Sequence, residues 1–155
     1  MAKEIERKFL VTSEDWRDSA TAVQVMRQGY LSYEPERTVR IRATDSTGFL
    51  TIKGMTKGIT RDEFEYEIPL ADALALLELS KHPVIEKKRF FIPHGAHIWE
   101  VDVFEGVNKG LVVAEIELKQ EEEAFEKPDW IGSEVSGERK YSNSALSLLP
   151  YNQWI

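Results

Sequence analysis

Cysteine is absent from the 155-residue chain, which excludes disulfides, thiolate zinc sites and a Cys nucleophile and leaves oxygen or His as the metal ligands on offer. Histidine is scarce too: His82, His94 and His97 sit at a helix end and a turn and are assigned no chemistry. Basic charge is in deficit, with 20 Lys and Arg against 27 Asp and Glu and a net charge of −7. A general binder of nucleic acid or of an anionic membrane would show the opposite balance, so any basic site must be local. No apolar run is long enough to span a bilayer, and the stretch from Met1 to Lys8 has no signal-peptide character; the chain reads as cytoplasmic. Its length suits one globular domain, residues 1–155.

What is present is alternation. Polar and apolar residues exchange places along most of the chain, broken by short turn signals such as 45–48, 94–95 and 108–110. The period-two pattern predicts about eight strands, over 3–11, 25–33, 38–44, 49–53, 62–68, 84–92, 97–104 and 111–119, enough to close a small barrel. Leu70, Ala73, Leu74 and Leu77 fall at helical spacing ahead of His82 and Pro83, which predicts a helix between the fifth and sixth strands. Shorter helices are expected after Ser13, over Glu121–Phe125, where acidic residues suit a helix N-terminus, and over Ser142–Leu149, where Ser is a good N-cap and Pro150 ends the run.

Within the strands one face is dominated by ionised groups. Glu4, Glu6 and Lys8 alternate with Ile5, Arg7 and Phe9; Arg40 and Arg42 with Val39 and Ile41; Lys53 opposes Ile52. Further on, Glu63, Glu65 and Glu67, then Lys87 and Arg89, Glu100 and Asp102, and Glu115 and Glu117 repeat the arrangement. Glu is a poor strand former, so this many acids in strands suggests a purpose. Periodicity alone leaves two arrangements open. Either the apolar face is the core and the charges pair across strands in solvent, or the charges point inward and helices cover an apolar exterior. A transmembrane barrel fits poorly, since it calls for longer strands, aromatic girdles and an export signal.

Glu4-Ile5-Glu6-Arg7-Lys8 is an ExExK strand, and it resembles the signature of the CYTH superfamily, the triphosphate tunnel metalloenzymes, in particular the small bacterial inorganic triphosphatases. The later charged pairs follow in matching order, from Arg40 and Arg42 through Lys53, Glu65 and Glu67, Glu86, Lys87 and Arg89, Glu100 and Asp102, Glu115 and Glu117 to Arg139, Lys140 and Tyr141. The resemblance implies an α+β fold dominated by antiparallel β-structure, an eight-stranded closed barrel with a charged interior and a few helices outside. It implies a triphosphate substrate bound with Mg²⁺ or Mn²⁺ and hydrolysed.

Physical chemistry fits those residue types to that task. A triphosphate needs cations fixed in advance, a role for Lys8, Arg40, Arg42, Lys53, Lys87 and Arg89, with Lys140 as a mobile phosphate contact. Arg can clasp phosphate bidentately, whereas Lys acts as a point charge. Hard divalent cations take oxygen ligands, for which Glu4, Glu6, Glu115 and Glu117 are the candidates. Lys8 and Lys87, with Glu4 and Glu6, are the candidate catalytic groups; Glu4, Glu6 or Glu117 would orient or deprotonate the attacking water. Glu65, Glu67, Glu100 and Asp102 read as counter-charges for the cations, and Gln28 and Tyr30 share a parity that could face the ligand. Thiamine-specific relatives carry Trp at the position of Thr38, so tripolyphosphate is preferred here over thiamine triphosphate and ATP. A cyclase acting on ATP and a non-catalytic polyphosphate- or nucleotide-binding module remain the alternatives. Trp130, Tyr151 and Trp154 are read as surface aromatics, available to a homodimer interface or a small C-terminal cap.

Overall fold

The computed structural model describes residues 3–154. Nine strands carry the architecture: β1 (Lys3–Val11), β2 (Ala22–Ser32), β3 (Arg37–Ala43), β4 (Gly48–Gly54), β5 (Thr60–Ile68), β6 (Ile85–His94), β7 (His97–Phe104), β8 (Val112–Glu117) and β9 (Ile131–Glu134). Two α-helices accompany them, α1 (Leu70–Leu77) and α2 (Asn143–Leu148). All the pairings are antiparallel, in the order β5-β4-β3-β2-β6-β7-β8-β1, and β5 returns to pair with the start of β1, closing an eight-stranded ring. β9 lies outside the ring, on the second half of the β1 edge whose first half meets β5.

Closure settles the direction of the charged face. Cross-strand partners share a face, and the registers Tyr30↔Arg40, Gln28↔Arg42, Met26↔Lys87, Arg89↔Asp102, Glu100↔Glu115 and Lys8↔Glu115 put these side chains inside. The apolar face points outward and is covered over much of the ring, although Val23, Val25, Ile52, Phe64 and Tyr66 on β2, β4 and β5 stay exposed. Phe9, Ile92, Trp99, Val101, Ala114 and Ile116 form one external core with Trp16, Leu118 and Trp130. Ile41 and Ala43 form another with Ala73 and Leu77 of α1. Burial on the scale of ~25 cal/mol per Å² of apolar area is thus gained outside the ring, which frees the interior for ions. One end of the interior is apolar instead: Tyr30, Ile85, Phe104 and Val113 meet Leu146 of α2, with Tyr151 and Trp154 packed against them.

The helix between β5 and β6 docks because Gly48 has no side chain. A Cβ there would lie 2.5 Å from Cβ of Ala73. Gly48→Ala should therefore push α1 off the sheet and cost about 1–3 kcal/mol, read as a lower urea midpoint at unchanged m; an unchanged midpoint would contradict this packing.

Three expectations need correction. Glu121–Phe125 is not a helix but a turn running into an extended segment. Its acids are used elsewhere: the Glu121 carboxylate accepts from Thr60, Glu123 accepts from the Lys119 amide and pairs with His97, and Phe125 packs edge-on to Phe9 and Trp99. Trp130 is not a surface residue; it is buried against Trp99 with ring centroids 6.0 Å apart. Tyr151 and Trp154 are half-buried in a C-terminal cap. Finally, β9 had no counterpart in the pattern, because four residues containing Gly132 carry too little alternation to register.

Candidate functional site

The ring encloses a cavity of about 230 Å³. Ring order places β1 and β8 opposite β2 and β3, so Glu4, Glu6, Glu115 and Glu117 face Arg40 and Arg42 of β3, while Lys87 and Arg89 of β6 stand between, on the far side of β7 from β8. Lys53 of β4 and Lys8 complete the set, and all ten of these sequence-predicted residues line the one cavity. Lys140 does not line it. Its side chain is exposed, with Nζ 4.6 Å from the Trp154 ring centroid on the outside of the cap.

Each charge is held by a neighbour. Lys53 Nζ donates to Glu4 at 3.1 Å and meets Glu63 at 3.2 Å, while Arg61 Nε donates to Glu4 at 3.1 Å. Burial alone would raise the Glu4 pKa, but Lys53 and Arg61 hold it down at about 2. Behind the opposite wall, Asp102 is buried and takes Lys87 at 2.7 Å and Arg89 at 2.8 and 2.9 Å. Arg89 also reaches Glu115 at 3.1 Å. Burial brings Lys87 down to about 7, with Asp102 opposing the shift and Arg89 and Arg42 adding to it. Burial, reinforced by Arg40 and Arg89, lowers Arg42 to about 9. The guanidinium of Arg40 spends one nitrogen on Thr51 and Glu65, while its buried Nε has no hydrogen-bond partner. Cations crowded closely enough to depress one another, with a buried donor unused, make a wall built for an anion.

The acid wall shows the complementary state. Burial, Glu115 and Glu4 push Glu6 well above the usual carboxylate range, while Glu115, against the trend of its burial, is held well below by Lys8, the Glu6 contact and Arg89. The environment thus favours the protonated form of Glu6 and the ionised form of Glu115, and a divalent cation between them would relieve the repulsion. Glu117 sits across the rung from Glu6 and is also raised, by burial and then by Glu4 and Glu63. Oxygen donors of this kind fit a hard cation. Among the described residues no group of three or more acidic or His side chains is gathered to hold a metal unaided, so water and substrate oxygens would have to fill the rest of the shell.

Arg61, Asn143 and the flanking Ser142 and Ser144 line the cavity without having been expected there. Arg61 lies one residue before the predicted fifth strand, yet it shares parity with Glu63 and Glu65, and extending the alternation by one step would have found it. Asn143 gave no signal, because it reaches the cavity from the first position of α2 rather than from a strand. Gln28, buried, donates to Asn143 at 2.7 Å and accepts from Arg42 at 2.9 Å; Tyr30 lines the wall beside it. A second chamber of about 290 Å³ shares Glu4, Glu6, Lys8, Thr38 and Arg61 with the first, and it adds Pro35, Met55, Ile59 and Val135 but no aromatic ring.

Comparison with known proteins places this geometry among relatives. Residues 2–150 match the CYTH domain. A protein of Acetivibrio thermocellus named inorganic triphosphatase is 47% identical over 155 residues, covering 99% of both chains. One of Nitrosomonas europaea with the same name is 34% identical over 150 residues, covering 94% of this chain and 97% of the relative. A solved inorganic triphosphatase structure superposes with a TM-score of 0.68 at 32% identity, covering 96% of each chain.

Proposed function

Because the chain belongs to the CYTH domain family, we propose that it hydrolyses a triphosphate with a divalent metal, Mg²⁺ or Mn²⁺, and that inorganic tripolyphosphate is its preferred substrate. The observation that carries the reading is the cationic wall, where Arg40, Arg42, Lys87 and Arg89 are held in place before any anion arrives and Arg40 keeps a buried donor unused. Preorganised charge of this kind stabilises negative charge without reorganisation at the moment of reaction. Inorganic triphosphatases among its relatives at 47% and 34% identity support the same substrate class.

Hydrolysis moves a water oxygen onto the terminal phosphorus and breaks the bond from that phosphorus to the bridging oxygen, releasing orthophosphate and leaving pyrophosphate. Arg40 and Arg42 would bind the phosphate oxygens, and Lys8, part-buried beside Glu115, would meet the charge that grows on the transferred group. The water's proton passes more readily to Glu6 or Glu117, both raised, than to Glu4, which its two cations hold at about 2. Glu6, Glu115 and Glu117 would hold the metal, which when bound neutralises phosphate oxygens and polarises the phosphorus. No helix among the described residues is long and apolar enough to cross a membrane, and the net charge of −7 supports an enzyme of the cytoplasm that takes neither nucleic acid nor lipid.

The preference for an inorganic substrate rests on what surrounds the cavity. The adjoining chamber adds Pro35, Met55, Ile59 and Val135 together with Glu138 and Arg139 and has no aromatic ring to stack on a base or a thiazolium, and Thr38 occupies the junction of the two chambers. Charge is what the site can read. Comparing kcat/KM for tripolyphosphate, ATP and thiamine triphosphate with each metal tests the choice: tripolyphosphate should lead, and an advantage for either organic substrate would overturn it. Arg40→Ala and Arg42→Ala should each raise KM about tenfold or more, as expected for losing a charge-assisted contact, with a smaller effect on kcat. Steady-state kinetics that leave both constants at the wild-type values would remove these residues from the site.

A further inference from the structure

Deepening that reading, and resting on it, we infer that Asn143 is a positioning residue that sets the reach of Lys87 directly, and of Arg42 through Gln28, toward the phosphates. The observation is a continuous chain of hydrogen bonds. Asn143 Oδ1 accepts from Lys87 Nζ at 3.0 Å and from Gln28 Nε2 at 2.7 Å, and Gln28 Oε1 accepts from Arg42 Nε at 2.9 Å. Every step has its donor and acceptor assigned by chemistry: Lys and Arg only donate, so the amide oxygens must face them, and the Gln28 amide nitrogen is left to point at Asn143.

The chain ties a C-terminal helix to three neighbouring strands of the ring. Lys87 belongs to β6, Arg42 to β3 and Gln28 to the intervening β2, whereas Asn143 opens α2 at the C-terminal end of the fold. α2 is anchored independently of the cations. Ser142 caps it by accepting from the Ala145 amide, and Leu146 is buried in the apolar end of the ring. Asn143 therefore brings a fixed neutral acceptor to the cationic wall. Lys87 has one carboxylate partner, Asp102, and without the amide its ammonium would be oriented by that carboxylate alone. Arg42 has no carboxylate within salt-bridge distance among the described residues, and its Nε is oriented by Gln28.

The neutrality of the side chain matters as much as its geometry. An amide oxygen orients an ammonium without adding a second negative charge beside Asp102, so no more of the positive field is cancelled before phosphate arrives. A carboxylate at the same place would hold the cations as well or better and repel the substrate. This separates positioning from a merely structural role: Asn143→Ala loses orientation, whereas Asn143→Asp keeps the contacts and spoils the field, and both weaken capture while the helix stays docked through Leu146.

Steady-state kinetics on tripolyphosphate should show KM raised about tenfold in Asn143→Ala, the size of one hydrogen bond to a charged group, with kcat within about threefold of wild type. Asn143→Asp should raise KM further. Gln28→Ala should raise KM too, and the double variant Gln28→Ala/Asn143→Ala should raise it by less than the product of the two single effects, because one chain is broken twice. Calorimetric binding of tripolyphosphate without divalent metal should weaken in the same order, at a melting temperature within about 3 °C of wild type. An unchanged KM in Asn143→Ala, independent effects that multiply in the double variant, or a loss of binding that tracks a fall in melting temperature would each overturn the inference. Absence of turnover by the wild-type protein would instead refute the triphosphatase reading, and metal-free binding would still report on Asn143.

Discussion

Glu6→Gln is expected to cut metal-dependent turnover of tripolyphosphate by a factor on the order of 10² to 10³, comparable to losing a principal electrostatic group from an enzyme site, while leaving the fold intact. Two properties of Glu6 make this the sharpest substitution in the cavity. It is one of the carboxylates that would hold the metal, and burial, Glu115 and Glu4 already push its pKa well above the usual range. Gln therefore mimics the protonated form that this environment favours. A folded-state pKa above the unfolded value means that this group's contribution to stability is full below the unfolded pKa and lost as pH rises through the folded one. Gln cannot ionise, so at neutral pH without metal the variant should melt no lower than wild type. Glu4→Gln would confuse the comparison, since it takes the partner from Lys53 and Arg61 together. Kinetics with Mg²⁺ and Mn²⁺ beside thermal unfolding decide it, and activity within about twofold of wild type would exclude Glu6 as a metal ligand.

Asp102→Asn is expected to have the largest effect on stability. Its carboxylate is buried behind the cationic wall and neutralises Lys87 and Arg89 at once. Arg89 keeps Glu115 and Glu100, but Lys87 loses its carboxylate partner; removing one partner of a buried ion pair costs about 3–5 kcal/mol, a large part of the roughly 5–15 kcal/mol that holds a domain together. The melting temperature should fall by roughly 10 °C. Burial alone would raise the Asp102 pKa, but Arg89 and Lys87 pull it below the ordinary value. Its stabilising contribution is therefore present above the unfolded pKa and lost as pH falls through the folded one, so acid should destabilise wild type more steeply than the variant. Tripolyphosphate should restore part of the lost stability by supplying negative charge to the two cations and binding only the folded state. An unchanged melting temperature would contradict the account of the wall.

How much of this was legible in the sequence depended on whether a residue sat in a strand. The alternation in β1, β3, β4, β6 and β8 located ten charged residues that the ring gathers around one cavity, because a period of two puts every second side chain on one face whatever the tertiary context. The same alternation was silent on which face is inside. That is decided by ring closure and by what covers the exterior, including Trp16, Trp130 and Phe125, which come from segments with no periodicity. The Glu121–Phe125 segment misled for a related reason. Its acids suit a helix N-terminus locally, yet tertiary partners, Thr60, His97 and the Lys119 amide, hold them in an extended path. Asn143 left no such trace, since a single amide delivered from a C-terminal helix has no spacing to recognise.

The most direct test is to follow orthophosphate and pyrophosphate released from tripolyphosphate by the wild-type protein, with and without divalent metal, and to assay cyclic AMP from ATP in parallel. The account predicts that orthophosphate and pyrophosphate appear in equal amounts only when metal is present, with no accumulation of cyclic AMP. Tripolyphosphate that binds the protein in the presence of Mg²⁺ or Mn²⁺ and stays intact would contradict it.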